Sequence, residues 1–183
     1  MSKLLLILIT LTGLVIAYFK LKKPVETKSS VNTSEKTNFL NGFELRPDDD
    51  YGSGKFGASR KRTLLSGEVV KYSHRGLDVS YQPFSPLPAP FKGYINRLGY
   101  VYEGNDELRL IEFIGVGLFS GYKMKMMYAS VQSGFSKLKV YNQYETIGYV
   151  QNMKKNYSKN MTNHVHYELY DPSGKLINPE KYV

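Results

Sequence analysis

The chemistry available to this chain is concentrated in two short stretches, His74-Arg-Gly-Leu-Asp78 and His164-Val-His166-Tyr-Glu168, which together hold all three of its histidines. Residues two apart on a strand share a face, so His164, His166 and Glu168 would form a polar row while Val165 and Tyr167 point the other way. His74 and Asp78 are also an even number apart, and a strand bent at Gly76 can converge them on one point. Neutral imidazole and carboxylate are donors that suit Zn²⁺, and three such ligands with an open fourth position make a site of the catalytic kind. For either motif alone, surface or hydrogen-bonded histidines are the simpler explanation. The confinement of every histidine to these two motifs favours a metal. With no cysteine in 183 residues, disulfide frameworks, thiolate metal sites, iron–sulfur clusters and a thiol nucleophile are excluded.

The elements that must position these groups read as strands. Lys92–Leu98, Leu108–Val116, Tyr122–Ala129, Thr146–Val150 and His164–Tyr170 are short runs rich in β-branched and aromatic residues, each bounded by Gly, Pro, Asn or Ser. Their spacing leaves no room for repeated crossover helices. The expected class is therefore all-β, mainly antiparallel, folded as a sandwich or part-closed sheet with long loops at 44–73 and 151–163. One domain of this size, residues 39–183, accounts for the core.

The remainder reads differently. Residues 4–19, LLLILITLTGLVIAYF, carry no charge and are flanked by Lys3 and by Lys20, Lys22 and Lys23. Residues 1–23 are accordingly expected to be a hydrophobic helix serving as an uncleaved membrane anchor, with a signal segment as the alternative. Residues 24–38 are polar and read as a tether. Of the formal net charge of +9, +4 falls in residues 1–37. The domain is then only moderately basic and lacks the concentrated stripe that nucleic-acid binding needs, so no nucleic-acid partner is expected.

Two further patterns have plain explanations. Gly52-Ser-Gly54-Lys-Phe-Gly57 matches a dinucleotide-binding fingerprint, but its entry, Arg46-Pro47-Asp48-Asp49-Asp50, is not an apolar strand, so the glycines mark an irregular loop. The acid run Asp48–Asp50 lacks the spacing and closing glutamate of a calcium loop and reads as a solvated turn.

SHRGLDVS at 73–80, APFKGYI at 89–95, YETIGYV at 144–150 and HVHYELYDPSGKLINPEKY at 164–182 resemble, in letters, order and spacing, the zinc endopeptidases of the lysostaphin and LytM type. The resemblance covers residues 43–183. GSGKFGASR at 52–60 and the approach YSKNMTNHVH are similar to the branch containing leukocyte cell-derived chemotaxin and its bacterial relatives.

This resemblance implies a LytM/lysostaphin-like peptidase fold in which His74, Asp78 and His166 ligate Zn²⁺ and His164 is the unligated catalytic histidine. Glu168 or a backbone carbonyl would orient the rings from behind. The implied activity is hydrolysis of peptidoglycan cross-link or stem peptides by a water activated at the metal. The implied place is the cell envelope, anchored in the inner membrane and facing the periplasm, or secreted if the N-terminal segment is cleaved. One departure stands out. Where family members carry a further histidine in a Tyr-Ala-His-Leu-like strand, this chain has Tyr128-Ala129-Ser130-Val131, leaving Ser130 as the substitute candidate. A catalytically impaired zinc-binding module that binds cell wall or regulates a partner hydrolase is the alternative function.

Overall fold

The computed structural model describes residue 39 and residues 42–182, apart from 138, 158 and 159. Twelve strands run in chain order among them. They are β1 (Ser59–Thr63), β2 (Val69–Ser73), β3 (Leu77–Ser80), β4 (Pro86–Pro88), β5 (Gly93–Tyr102), β6 (Asn105–Gly115), β7 (Lys123–Met127), β8 (Ala129–Val131), β9 (Val140–Tyr141), β10 (Thr146–Val150), β11 (His164–Tyr170) and β12 (Leu176–Ile177). The only helical elements among the described residues are 3-10 turns at Gly117–Phe119, Met153–Lys155 and Pro179–Tyr182.

The all-β, antiparallel expectation holds, and the five strands expected from sequence all form, with ends shifted by up to four residues. The expected loop at 44–73 contains the β1–β2 hairpin. Its strands are almost wholly exposed and pair only with each other, so neither face offered the apolar alternation by which a strand is read. The expected hydrophobic N-terminal helix lies outside the described residues, as does the tether. No helix among the described residues is long and apolar enough to cross a membrane.

A seven-stranded sheet forms the body in the order β12-β11-β7-β6-β5-β9, with β3 also pairing along β11. A second sheet, β4-β10-β8, packs with it around one core. Alternation along β11 explains how the site is held. Val165, Tyr167 and Leu169 are fully buried in the core beside Ile111, Phe113, Met124 and Met126. Each such side chain contributes about 1.5–3 kcal/mol by leaving water. The intervening residues, His164, His166 and Glu168, are thereby turned to the opposite face. That face is polar across the sheet, where Glu112, Lys125 and Glu168 stand side by side on β6, β7 and β11. A one-residue slip of β11 would bury the histidines and expose the core residues, so the apolar set fixes the register that presents the site.

Candidate metal centre

β3 and β11 run antiparallel with Asp78 directly opposite His166, which places His166 Nδ1 2.8 Å from Asp78 Oδ1. His74 arrives from the end of β2, not from β3. Its backbone N–H donates to the Ala58 carbonyl and its carbonyl accepts from Gly57 N–H, each at 2.8 Å. Its ring Nδ1–H donates to the Lys55 carbonyl at 2.8 Å, leaving Nε2 with a free lone pair. That Nε2 lies 2.9 Å from His166 Nδ1 and 3.2 Å from Asp78 Oδ1. The bend between His74 and Asp78 does occur at Gly76, for a steric reason. A Cβ there would lie 2.5 Å from the Tyr167 carbonyl and 2.6 Å from the His166 ring. Glycine is needed because the imidazole occupies the space.

Three potential ligand atoms thus converge at separations of 2.8–3.2 Å, and together they form a group that could hold a metal ion. Zinc bonds of about 2.0–2.1 Å in a tetrahedral site put neighbouring ligand atoms about 3.3 Å apart, so the donor set fits Zn²⁺ with little adjustment. The electrostatics fit as well. Burial pushes the Asp78 carboxyl upward, but the His166 and His74 imidazoles set against it hold it well below the usual carboxylate range. Burial likewise pushes His166 down, and Asp78 and Glu168 outweigh this and raise it to about 8. The pocket attracts positive charge to the point where the donors meet.

His164 stands just beside this group. Its Nδ1–H donates to the Thr162 carbonyl at 2.7 Å, so Nε2 is again the free nitrogen, 3.7 Å from Asp78 Oδ1. Burial lowers its pKa and keeps the imidazole neutral near pH 7. The Tyr128 ring packs edge-on against it at 5.4 Å between centroids. Glu168 lies behind His166, with Oε1 3.8 Å from Nε2. It is held by Arg75 Nε at 3.3 Å and by the Tyr170 hydroxyl at 2.5 Å. Burial pushes Glu168 up, and the His166 imidazole beside it and the Tyr170 hydrogen bond win, bringing it to about 2.

The structure does not bring Ser130 to this place. Tyr128 adopts a left-handed backbone (φ 66°) that kinks the chain between β7 and β8. Beyond the kink Ser130 pairs with Tyr149 of β10 and lines a separate cavity with Tyr100 and Arg109. Tyr128 instead enters the groove, where its hydroxyl meets those of Tyr102 and Tyr157 at 3.1 and 3.2 Å.

Sequence reasoning missed two arginines. Arg46 Nε and Arg60 Nη2 both donate to Asp78 Oδ2, at 3.1 and 3.2 Å, and both side chains are almost fully buried. Asp49 is no solvated turn residue, because it pairs with Arg46 and accepts from the N–H groups of Tyr51 and Thr162. The available signal was the pair of arginines flanking the glycine loop, at positions 46 and 60. Nothing in their spacing says that they turn inward.

The donors open into a groove of about 630 Å³ whose apolar wall includes Val101, Met127 and Met161. No protein-family model and no curated protein matches the chain. Among solved structures, Helicobacter pylori Csd3 aligns with TM-score 0.51 and 18% identity, covering 77% of this chain and 34% of Csd3. The chain therefore spans about a third of that protein's length. The catalytic domain of the prophage-encoded M23 protein EnpA from Enterococcus faecalis, in a point-mutant form, aligns at 20% identity over 80% of this chain and 95% of that one, with TM-score 0.48. The catalytic domain of lysostaphin from Staphylococcus simulans gives 15%, 69%, 86% and 0.46 for the same quantities. The match to Csd3 shows the fold, that of the LytM/lysostaphin-type peptidases. These structures do not single out the chemotaxin-like branch.

Proposed function

We propose that this chain is a zinc metalloendopeptidase of the cell envelope that cuts cross-link or stem peptides of peptidoglycan. The observation that carries the reading is the meeting of His74 Nε2, Asp78 Oδ1 and His166 Nδ1 within 3.2 Å, beside a neutral His164. Zinc held there by three protein ligands would supply Lewis acidity for a carbonyl and lower the pKa of a water. The chain's own residues do the rest. His164 keeps its Nε2 lone pair free by committing Nδ1–H to Thr162, and so can accept a proton from the attacking water and return it to the leaving amine. Glu168, fixed by Arg75 and Tyr170, orients His166 from behind. The open groove admits an extended peptide alongside Met127 and Tyr128. In this reading residues 1–23 tether the domain to the membrane facing the periplasm, or release it when cleaved.

Incubating the zinc-loaded protein with purified sacculi tests this directly. Release of cleaved peptides by the wild type and none by His166→Ala is the expected result. Zinc bound without any release would exclude the peptidase.

A second reading is a zinc-stabilised module that binds cell wall or regulates a partner hydrolase without turnover. It is favoured by the histidine count, since all three stand in one cluster and Ser130 lies outside the groove. Sacculus binding without cleavage, unchanged in His164→Ala, would establish it. Cleavage lost in His164→Ala would exclude it.

A further inference from the structure

We propose that Arg46 and Arg60 are positioning residues that set which metal the centre accepts, by holding Asp78 Oδ2 so that only Oδ1 faces the ion. The inference rests on reading His74, Asp78 and His166 as metal ligands, and does not depend on peptidase activity. Both arginines reach the same oxygen, Arg46 through Nε at 3.1 Å and Arg60 through Nη2 at 3.2 Å. Neither is free to move away. Arg46 also donates Nη2–H to the Gly52 carbonyl at 2.8 Å and pairs Nη1 with Asp49, while Arg60 donates Nη1–H to the Tyr51 carbonyl at 2.5 Å. Swinging either guanidinium off the carboxylate would strand buried, charged donors at the full cost of their desolvation.

Two glycines of the loop, Gly52 and Gly54, make room for this clamp. A Cβ on Gly52 would stand 2.5 Å from Arg60 Nη1, and one on Gly54 would stand 2.9 Å from the Arg46 carbonyl and 3.1 Å from that of Asp78. Two glycines of the pattern that mimics a nucleotide fingerprint are therefore explained by packing around the two arginines, while Gly57 serves a left-handed backbone (φ 77°) in open space.

The consequence is selectivity. A four-coordinate zinc is satisfied by one oxygen of a carboxylate. Harder cations such as Mn²⁺ and Ca²⁺ seek more oxygens, and commonly obtain them by bidentate binding. With Oδ2 saturated by two fixed cations, Asp78 cannot offer its second oxygen, and the added positive charge disfavours an ion that depends on anionic oxygen alone. Imidazole nitrogens then contribute most of the remaining affinity, which favours zinc over manganese.

The test uses the whole 183-residue chain and metal binding alone. Zinc and manganese affinities are measured by chelator competition, and the visible spectrum of the Co²⁺-substituted protein reports coordination number. In R60Q the zinc affinity is expected to fall 10- to 100-fold, as is usual when the partner of a ligand is removed. Manganese affinity should fall less or rise, narrowing the zinc preference, and the cobalt bands should weaken as a further ligand oxygen enters. A folded R60Q with both affinities and the spectrum unchanged would overturn the inference. Should R60Q not fold, zinc-edge X-ray absorption on the wild type decides, because one Asp78 oxygen on the metal supports the clamp and two exclude it. A wild type that binds no zinc removes the metal reading together with this inference, whereas zinc binding indifferent to R60Q removes this inference alone.

Discussion

The two sides of the candidate site are built on opposite principles. The sheet side, β3 and β11, presents His166, Asp78, His164 and Glu168 from strands whose alternate residues are locked in the core. The loop side, residues 46–60, supplies the Lys55 carbonyl and two guanidiniums from a stretch whose only described strand before Arg60 begins at Ser59. The sheet places donor atoms and the loop fixes which atom of each donor is free. His74 Nδ1 is spent on Lys55 and Asp78 Oδ2 on the arginines, so Nε2 and Oδ1 remain for an ion. A metal site can thus borrow its rigidity from a sheet and its chemical orientation from an irregular loop.

That division can be broken from the sheet side with the largest effect. His166→Ala should abolish both stoichiometric zinc binding and sacculus hydrolysis, read by metal analysis of the purified protein and by release of soluble peptides. Gly76→Ala should come close to it. The new methyl would overlap the His166 ring and the Tyr167 carbonyl, with an expected loss of about 1–3 kcal/mol in denaturant unfolding and a severalfold or greater drop in zinc affinity. If Gly76→Ala bound zinc as the wild type does, the account of the bend would be wrong.

On the core face of the same strand, Leu169→Ala should cost about 2–5 kcal/mol of stability. Zinc stoichiometry in the molecules that remain folded should be unchanged, which would separate support of the strand from ligation. Loss of zinc without loss of stability would contradict the division of β11 into a core face and a site face.

The loop side should respond more mildly. Gly54→Ala presses on the Arg46 and Asp78 carbonyls at 2.9–3.1 Å and should weaken zinc binding while shifting the unfolding midpoint by the equivalent of about 1 kcal/mol, at the low end of overpacking costs. The smallest effect belongs to the hairpin tip, where Leu65 is fully exposed. Leu65→Ser should stay within about 0.5 kcal/mol in stability and leave zinc affinity unaltered. A marked loss there would mean that the hairpin contributes to the site through more than Arg60.

The legible part of this protein follows from local rules. Period-two alternation in HVHYE located β11 and assigned its faces, because strand geometry allows no other arrangement once one face must be buried. The five strongest strands were readable for the same reason. The exposed β1–β2 hairpin was not, because its strands are largely polar and pair only with each other, and the two-residue strands β9 and β12 and the proline-bounded β4 were not, because each is held by pairing and packing rather than by its own pattern.

For the site, the sequence narrowed the candidate donors to two motifs, since every histidine lies in one of them and there is no cysteine, and the choice of His74, Asp78 and His166 among them came from the family resemblance. Three further features arise from the packing of the folded domain. It withdrew Ser130 into another cavity through the positive-φ kink at Tyr128. It set Gly76 against the His166 ring. It turned Arg46 and Arg60 inward onto one oxygen of Asp78, which lies 32 and 18 residues away along the chain. Spacing reports which side chains share a face of one element. It carries no information about contacts closed across such separations, where the geometry is fixed by the packing of the whole domain.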